Sequence, residues 1–229
     1  MGDERVSTGV RGFDELVEGG FPKDSVILLT GGPGTGKTTF SSQFLWAGLE
    51  NGERCLYITT EELPEEIKSD ASQFGFSFDD YPENFDMMNM EPSDATSYLP
   101  QNIRQACEEK DYDRIVLDSI SVFGIYWEGE SQVRKNMDDL VKEFRRSDAT
   151  TVMTAELPEE DSGRLSRYGI AEFIADGVVK MEVLSIGKES FGNLKVRKMR
   201  QTDIQRGQYE TIIESGEGLK IGDETIDLQ

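Results

Sequence analysis

The segment Gly31-Gly32-Pro33-Gly34-Thr35-Gly36-Lys37-Thr38 constrains this chain more than any other. It fits the pattern G-x-x-x-x-G-K-[ST]. It also stands between an apolar run at residues 25–30 (Ser-Val-Ile-Leu-Leu-Thr) and a helical pattern at 37–50 that closes on Asn51-Gly52. Strand, glycine-rich turn and helix in that order make a phosphate-binding loop. Glycines let the backbone curl so that amide N–H groups converge on phosphate oxygens. Lys37 supplies a point charge for the β- and γ-phosphates, and Thr38 offers its hydroxyl to Mg²⁺. The helix directs its N-terminal amides at the same anion. Gly32, Pro33, Gly34, Thr35, Gly36, Lys37, Thr38 and Thr39 are therefore the expected nucleotide contacts, with ATP and Mg²⁺ as cofactors. The competing reading, a glycine-rich turn that holds nothing, leaves the flanking strand and helix unexplained.

The rest of the chain alternates short apolar runs with helical patterns, which predicts an α/β domain with a parallel sheet. Strands are expected at 55–59, 85–90, 114–118 and 150–154, and helices at 64–74, 98–109 and 130–146. Residues 157–167 read as a loop. Strands at 178–183, 193–199 and 209–213 follow with Gly-containing turns, so antiparallel strands are expected at the sheet's edge. With 229 residues, no repeat and no linker, residues 1–229 are read as one domain.

Two acidic sites lie at predicted strand ends. Asp118 closes the apolar strand Ile115-Val116-Leu117, where a carboxylate emerges beside the phosphate loop and holds a Mg²⁺-bound water. The alternative is a helix N-cap, since Ser119 and Ser121 follow. Glu61 and Glu62 follow the strand at 55–59, in position to orient or deprotonate an attacking water. Alternatively they are favourable charges at the start of the next helix. A third feature is a basic stretch, Lys188, Lys195, Arg197, Lys198, Arg200 and Arg206, against only Glu189 and Asp203. It fits ATP phosphates, nucleic acid, a neighbour's acidic face, or a solvated hairpin. Lys198 and Arg200 fall at alternate positions of a predicted strand and so share a face.

The chain carries 45 acidic against 24 basic residues, a net charge of −21, spread without a long block. An acidic face for a basic partner is one reading. The dispersal favours the other, a surface adapted to high salt. Such a surface repels phosphate, which counts against nucleic acid. The absence of histidine excludes His-based triads and His-containing zinc sites. Cys55 and Cys107 are far apart and read as small buried side chains. No apolar run suits a membrane span, and the residues after Met1 carry no secretory signal, so a soluble cytoplasmic protein is expected.

Together these residues resemble the KaiC-like branch of the RecA superfamily. The resemblance runs through Ser7-Thr8-Gly9-Val10-Arg11-Gly12-Phe13-Asp14-Glu15-Leu16, Gly19-Gly20-Phe21-Pro22, the phosphate loop and Thr59-Thr60-Glu61-Glu62. It continues through Leu117-Asp118-Ser119-Ile120, Thr154-Ala155-Glu156, residues 167–176 (Arg-Tyr-Gly-Ile-Ala-Glu-Phe-Ile-Ala-Asp) and residues 198–203 (Lys-Met-Arg-Gln-Thr-Asp). The last two segments are the most specific. The resemblance implies a RecA-like P-loop core that assembles into a ring, usually a hexamer, with ATP between subunits. It implies that Glu61 and Glu62 are the catalytic glutamates and that Lys198 and Arg200 reach a neighbour's γ-phosphate, with Thr202 nearby. Gln73 and Phe74 fall where the family borders the nucleotide. The clock protein of this branch has two such domains in tandem, and the Ser-Thr pair of its phosphate-accepting domain aligns with Glu172-Phe173. This chain therefore resembles the hydrolysing domain, and no circadian role follows.

The favoured expectation is an ATP-hydrolysing switch with a protein signalling partner. Two alternatives stand beside it: a recombinase-like DNA-binding ATPase of the RecA or RadB type, and an ATP sensor that does not hydrolyse. Against DNA, the loop at 157–167 sets Glu159, Glu160 and Asp161 against Arg164 and Arg167.

Overall fold

The computed structural model describes residues 4–91, 99–127, 129–157, 165–166, 169–186 and 189–225. Two short strands, β1 (Arg5–Val6) and β2 (Phe21–Pro22), pair antiparallel ahead of the main sheet. Then come β3 (Val26–Gly31), α1 (Lys37–Glu50), β4 (Cys55–Thr59), α2 (Pro64–Ser72) and β5 (Phe85–Asn89). They are followed by α3 (Leu99–Glu109), β6 (Arg114–Asp118), the single turn α4 (Phe123–Tyr126), α5 (Glu130–Arg146) and β7 (Thr150–Glu156). The last part holds α6 (Ala171–Ile174), β8 (Gly177–Ile186), β9 (Glu189–Met199), β10 (Tyr209–Glu214) and β11 (Gly218–Thr225).

Nine strands form one sheet in the order β11-β10-β9-β8-β3-β7-β6-β4-β5. From β8 to β5 every neighbouring pair is parallel, and β9, β10 and β11 continue antiparallel. This is the expected α/β architecture with its added C-terminal strands. The parallel strands are apolar along their whole length because both faces are covered. On one face Ile27, Leu29, Tyr57, Val116 and Val152 pack with α1 and the N-terminal segment. On the other, Leu28, Leu56, Ile58, Ile115 and Leu117 pack with α3 and α5. Successive side chains point to opposite faces, so one apolar run feeds two cores.

The opening segment has a structural explanation. The Asp14 carboxylate accepts hydrogen bonds from the Ser7 and Thr8 hydroxyls, both at 2.6 Å, and from the Thr8 amide at 3.0 Å. That closes a loop which lays Phe13 and Phe21 on Phe40 and Phe44 of α1.

Differences from the sequence expectations are local. The helix at 64–74 stops at Ser72, leaving Gln73 and Phe74 in a turn. The strand at 150–154 runs on to Glu156. β11 was not foreseen, because its alternation rests on two apolar residues alone, the buried Leu219 and Ile221. β1 and β2 are too short to show a period. Most of the loop at 157–167, including Glu159, Glu160, Asp161, Arg164 and Arg167, and also Lys188, lie outside the described residues. None of the described helices is long and apolar enough to cross a membrane.

Candidate functional site

The phosphate loop joins the carboxyl end of β3 to α1. Gly34 and Gly36 take φ of 71° and 92°, the left-handed region that a side chain rarely adopts. Those two residues turn the chain into the helix, with Gly36 as its N-cap. Lys37 is 8 % exposed, and its ammonium donates to the Gly31 and Gly32 carbonyls at 3.1 and 2.8 Å. Burial lowers its pKa, and the negative charges of Glu156, Asp118 and Glu61 act the other way.

Asp118 ends β6, next to β4 and β7 in the sheet. Three hydroxyls donate to its carboxylate. Thr38 and Tyr57 reach Oδ2 at 3.0 and 2.8 Å, and Thr154 reaches Oδ1. Burial and the adjacent Asp118 charge push the Tyr57 hydroxyl well above its ordinary range, so it stays a donor. The N-cap alternative for Asp118 is excluded. The turn at Ile120–Val122 is capped by Ser119, whose side chain accepts from the Ser121 amide. The Asp118–Ser119 peptide is cis, and the Thr60 hydroxyl binds around it.

Glu61 and Glu62 follow β4 and precede the N-cap of α2, Leu63. The first-turn acids of α2 are Glu65 and Glu66, and Glu66 accepts the Leu63 amide. The helix-end role thus belongs to those two. Glu61 accepts from the Ser119 hydroxyl at 3.2 Å. Partial desolvation at the sheet edge raises its pKa, followed by the charge of Glu156. Glu62 is also raised, by desolvation and then by Asp118. Beside it a cavity of about 250 Å³ is lined by Thr38, Thr39, Glu62, Gln73 and Phe74 among others. The structure therefore places Gln73 and Phe74 on one cavity with Thr38 and Thr39, at the start of α1.

Glu156 was missed as a site residue. It ends β7 in register with Gly31 and is close enough to act on both Lys37 and Glu61. The signal was available: like Asp118, it is an acid at the carboxyl end of a strand beside the phosphate loop.

Lys198, Arg200 and Thr202 are not brought to this site. β8 starts beside the amino end of β3, and the end of β9 pairs with that start. Met199 and Arg200 are thus separated from the phosphate loop by the length of β3, about 17 Å at 3.3 Å per residue. The strand geometry also differs from expectation. A register shift lies opposite Val178 and Val179, and β9 stops at Met199, so Arg200 lies just beyond the strand. Nor does the cationic face lack partners. Lys198 donates to the Ala175 carbonyl at 2.6 Å, and Arg200 donates to Asp176 at 3.3 Å. Asp176 also binds Arg145 and the Val26 amide. Burial and the neighbouring Arg200 lower the pKa of Lys198. Thr202 accepts from Arg5 at 2.7 Å.

The donor set fits Mg²⁺. Thr38 and Asp118 offer hard oxygen ligands, and Mg²⁺ is ordinarily held by one or two carboxylates with substrate phosphates. No group of three or more Asp, Glu, Cys or His that could cage a metal occurs among the described residues.

A family model described as "ATPase: KaiC" matches residues 6–226. A UPF0273 protein of Methanopyrus kandleri is 31 % identical, over 99 % of this chain and 95 % of its own length. The circadian clock protein KaiC3 of Synechocystis is 32 % identical over 96 % of this chain, which spans only 46 % of that relative. Among solved structures, the KaiC-like protein of Pyrococcus horikoshii superposes with a TM-score of 0.85 at 34 % identity. That match covers 96 % of this chain and 99 % of the other.

Proposed function

The chain belongs to the KaiC-like ATPases of the RecA superfamily, and on that premise we propose that it is a Mg²⁺-dependent ATP phosphohydrolase whose complete sites form between copies of the chain. One observation carries this: the groups assigned to the chemistry in this reading lie at the two ends of one sheet. The carboxyl end has the phosphate loop, Asp118 and Glu61, and the amino end has Lys198 and Arg200.

Lys37 leaves the loop carbonyls for the β- and γ-phosphates, while the α1 amides and the loop backbone bind the same anion. Thr38 and Asp118 would hold Mg²⁺, which when bound neutralises charge across the β- and γ-oxygens. Glu61, whose pKa is raised by desolvation, takes a proton from the attacking water. Glu62 faces the cavity beside Thr38 and Thr39. Arg200 of a second copy, beside Lys198, stabilises the charge that develops on the γ-phosphoryl. Thr202, near both, lies at the same edge. One domain over residues 1–229, a hexameric ring, a signalling role through a protein partner and a salt-adapted cytoplasmic setting complete the reading.

The test is direct. The purified protein, in dilute buffer and in concentrated KCl, is assayed for phosphate release from ATP with Mg²⁺ and with a chelator. It is sized by light scattering with and without ATP. Mg²⁺-dependent turnover by an oligomer is expected. Tight ATP binding without turnover would leave a sensor in its place, and turnover by a monomer would rule out sites shared between copies.

A further inference from the structure

Tyr57 presents a feature that the core does not require. It is fully buried in β4, and its register partners in the strands on either side, Val116 of β6 and Met87 of β5, are apolar. Phenylalanine would fill the same space. A buried hydroxyl costs stability unless it is bonded. Here its partner is Asp118 Oδ2, at 2.8 Å. Thr154 has the same character: fully buried in β7, it donates to the other oxygen, Oδ1.

These strands flank β6 on its two sides. Tyr57 pairs in register with Val116, two residues short of Asp118, and the length of its ring covers that gap. Thr154 follows Met153, which pairs with Leu117, so it stands one step along, level with Asp118. The carboxylate is therefore gripped from both neighbouring strands. Its third donor, Thr38, comes from α1, a different element.

We propose that Tyr57 and Thr154 are positioning residues that fix the Asp118 carboxylate, so that it receives a divalent cation together with Thr38. The inference rests on the reading of Asp118 as the carboxylate that serves Mg²⁺. With both oxygens anchored on the sheet, Thr38 can turn its oxygen toward a cation and keep its hydrogen on Oδ2. Without Tyr57, Oδ2 keeps only the Thr38 hydroxyl, and the carboxylate retains one of its two anchors on the sheet.

The experiment measures binding, not turnover. A fluorescent ATP analogue is titrated with Mg²⁺ chelated, and Mg²⁺ is then titrated at fixed analogue. The proteins are the unaltered chain, Tyr57→Phe, Thr154→Val and Asp118→Asn. Loss of a partner that orients a metal ligand commonly costs about 10-fold or more in metal affinity. Tyr57→Phe and Thr154→Val should each raise the Mg²⁺ midpoint by about tenfold and leave metal-free analogue affinity unchanged. A purely structural role would change thermal stability and leave the midpoint alone. If Asp118→Asn raises the midpoint while the other two do not, the positioning role is overturned and the reading of Asp118 stands. If Asp118→Asn also leaves it unchanged, that reading fails first. Should Tyr57→Phe not fold, Thr154→Val decides by the same criterion.

Discussion

At the carboxyl end of the parallel strands one ammonium, Lys37, lies among the carboxylates of Glu61, Asp118 and Glu156. At the amino end one carboxylate, Asp176, binds Arg145 and Arg200, with Lys198 close by. The immediate surroundings of Lys37 are mostly acidic, and those of Asp176 are mostly basic. A nucleotide adds phosphate charge to the end already richer in acid. Mg²⁺ offsets part of it, and the nearby cation of the sheet, Lys180, in register with Thr30, is already paired with Glu182. That contrast is what supports the proposal of a site shared between copies of the chain.

The largest expected effect removes the carboxyl end's own cation. Lys37→Ala deprives the β- and γ-phosphates of their main charge, so ATP binding measured by titration calorimetry should fall below detection. Undiminished affinity would break the assignment of that end as the nucleotide site. Next, Glu61→Gln with Glu62→Gln should keep ATP affinity and lower turnover by about 10²-fold or more, since an amide cannot act as the base. Normal phosphate release by this variant would make both glutamates bystanders.

A smaller effect sharpens the picture of the acidic end. Glu61 must be deprotonated to act as a base, and its pKa is raised by desolvation and then by Glu156, with Asp118 adding to this and Lys37 opposing it. Activity should therefore climb with pH through a limb lying above the ordinary carboxylate range. Glu156→Gln removes one of the raising charges, so kcat/KM plotted against pH should show the limb displaced to lower pH. A limb that stays in place would mean that Glu61 is not the group that titrates.

Much of this was legible from residues alone. β4 and β6 appear with the bounds that their apolar runs suggest, because a strand covered on both faces has no other way to be written. The phosphate loop and Asp118 were legible because each needs fixed residue types at a fixed place beside a strand. Tyr57 and Thr154 were not. A tyrosine and a threonine in buried strands look like core, and only the pairing of β4 and β7 with β6 puts their hydroxyls on one carboxylate. Spacing also left open which end of the sheet Arg200 occupies. That depends on β8 running parallel to β3 and on β9 returning against it.

The claim that one site draws on both ends is tested most directly by mixing two disabled proteins. Arg200→Ala should lower turnover by about 10³-fold or more while leaving its own phosphate loop intact, and Lys37→Ala keeps its Arg200. Neither alone should hydrolyse ATP at an appreciable rate. Under conditions where labelled subunits are seen to exchange, the mixture should regain activity, because some contacts then set an intact Arg200 against an intact loop. No recovery despite verified exchange, or full activity of Arg200→Ala by itself, would contradict the shared site.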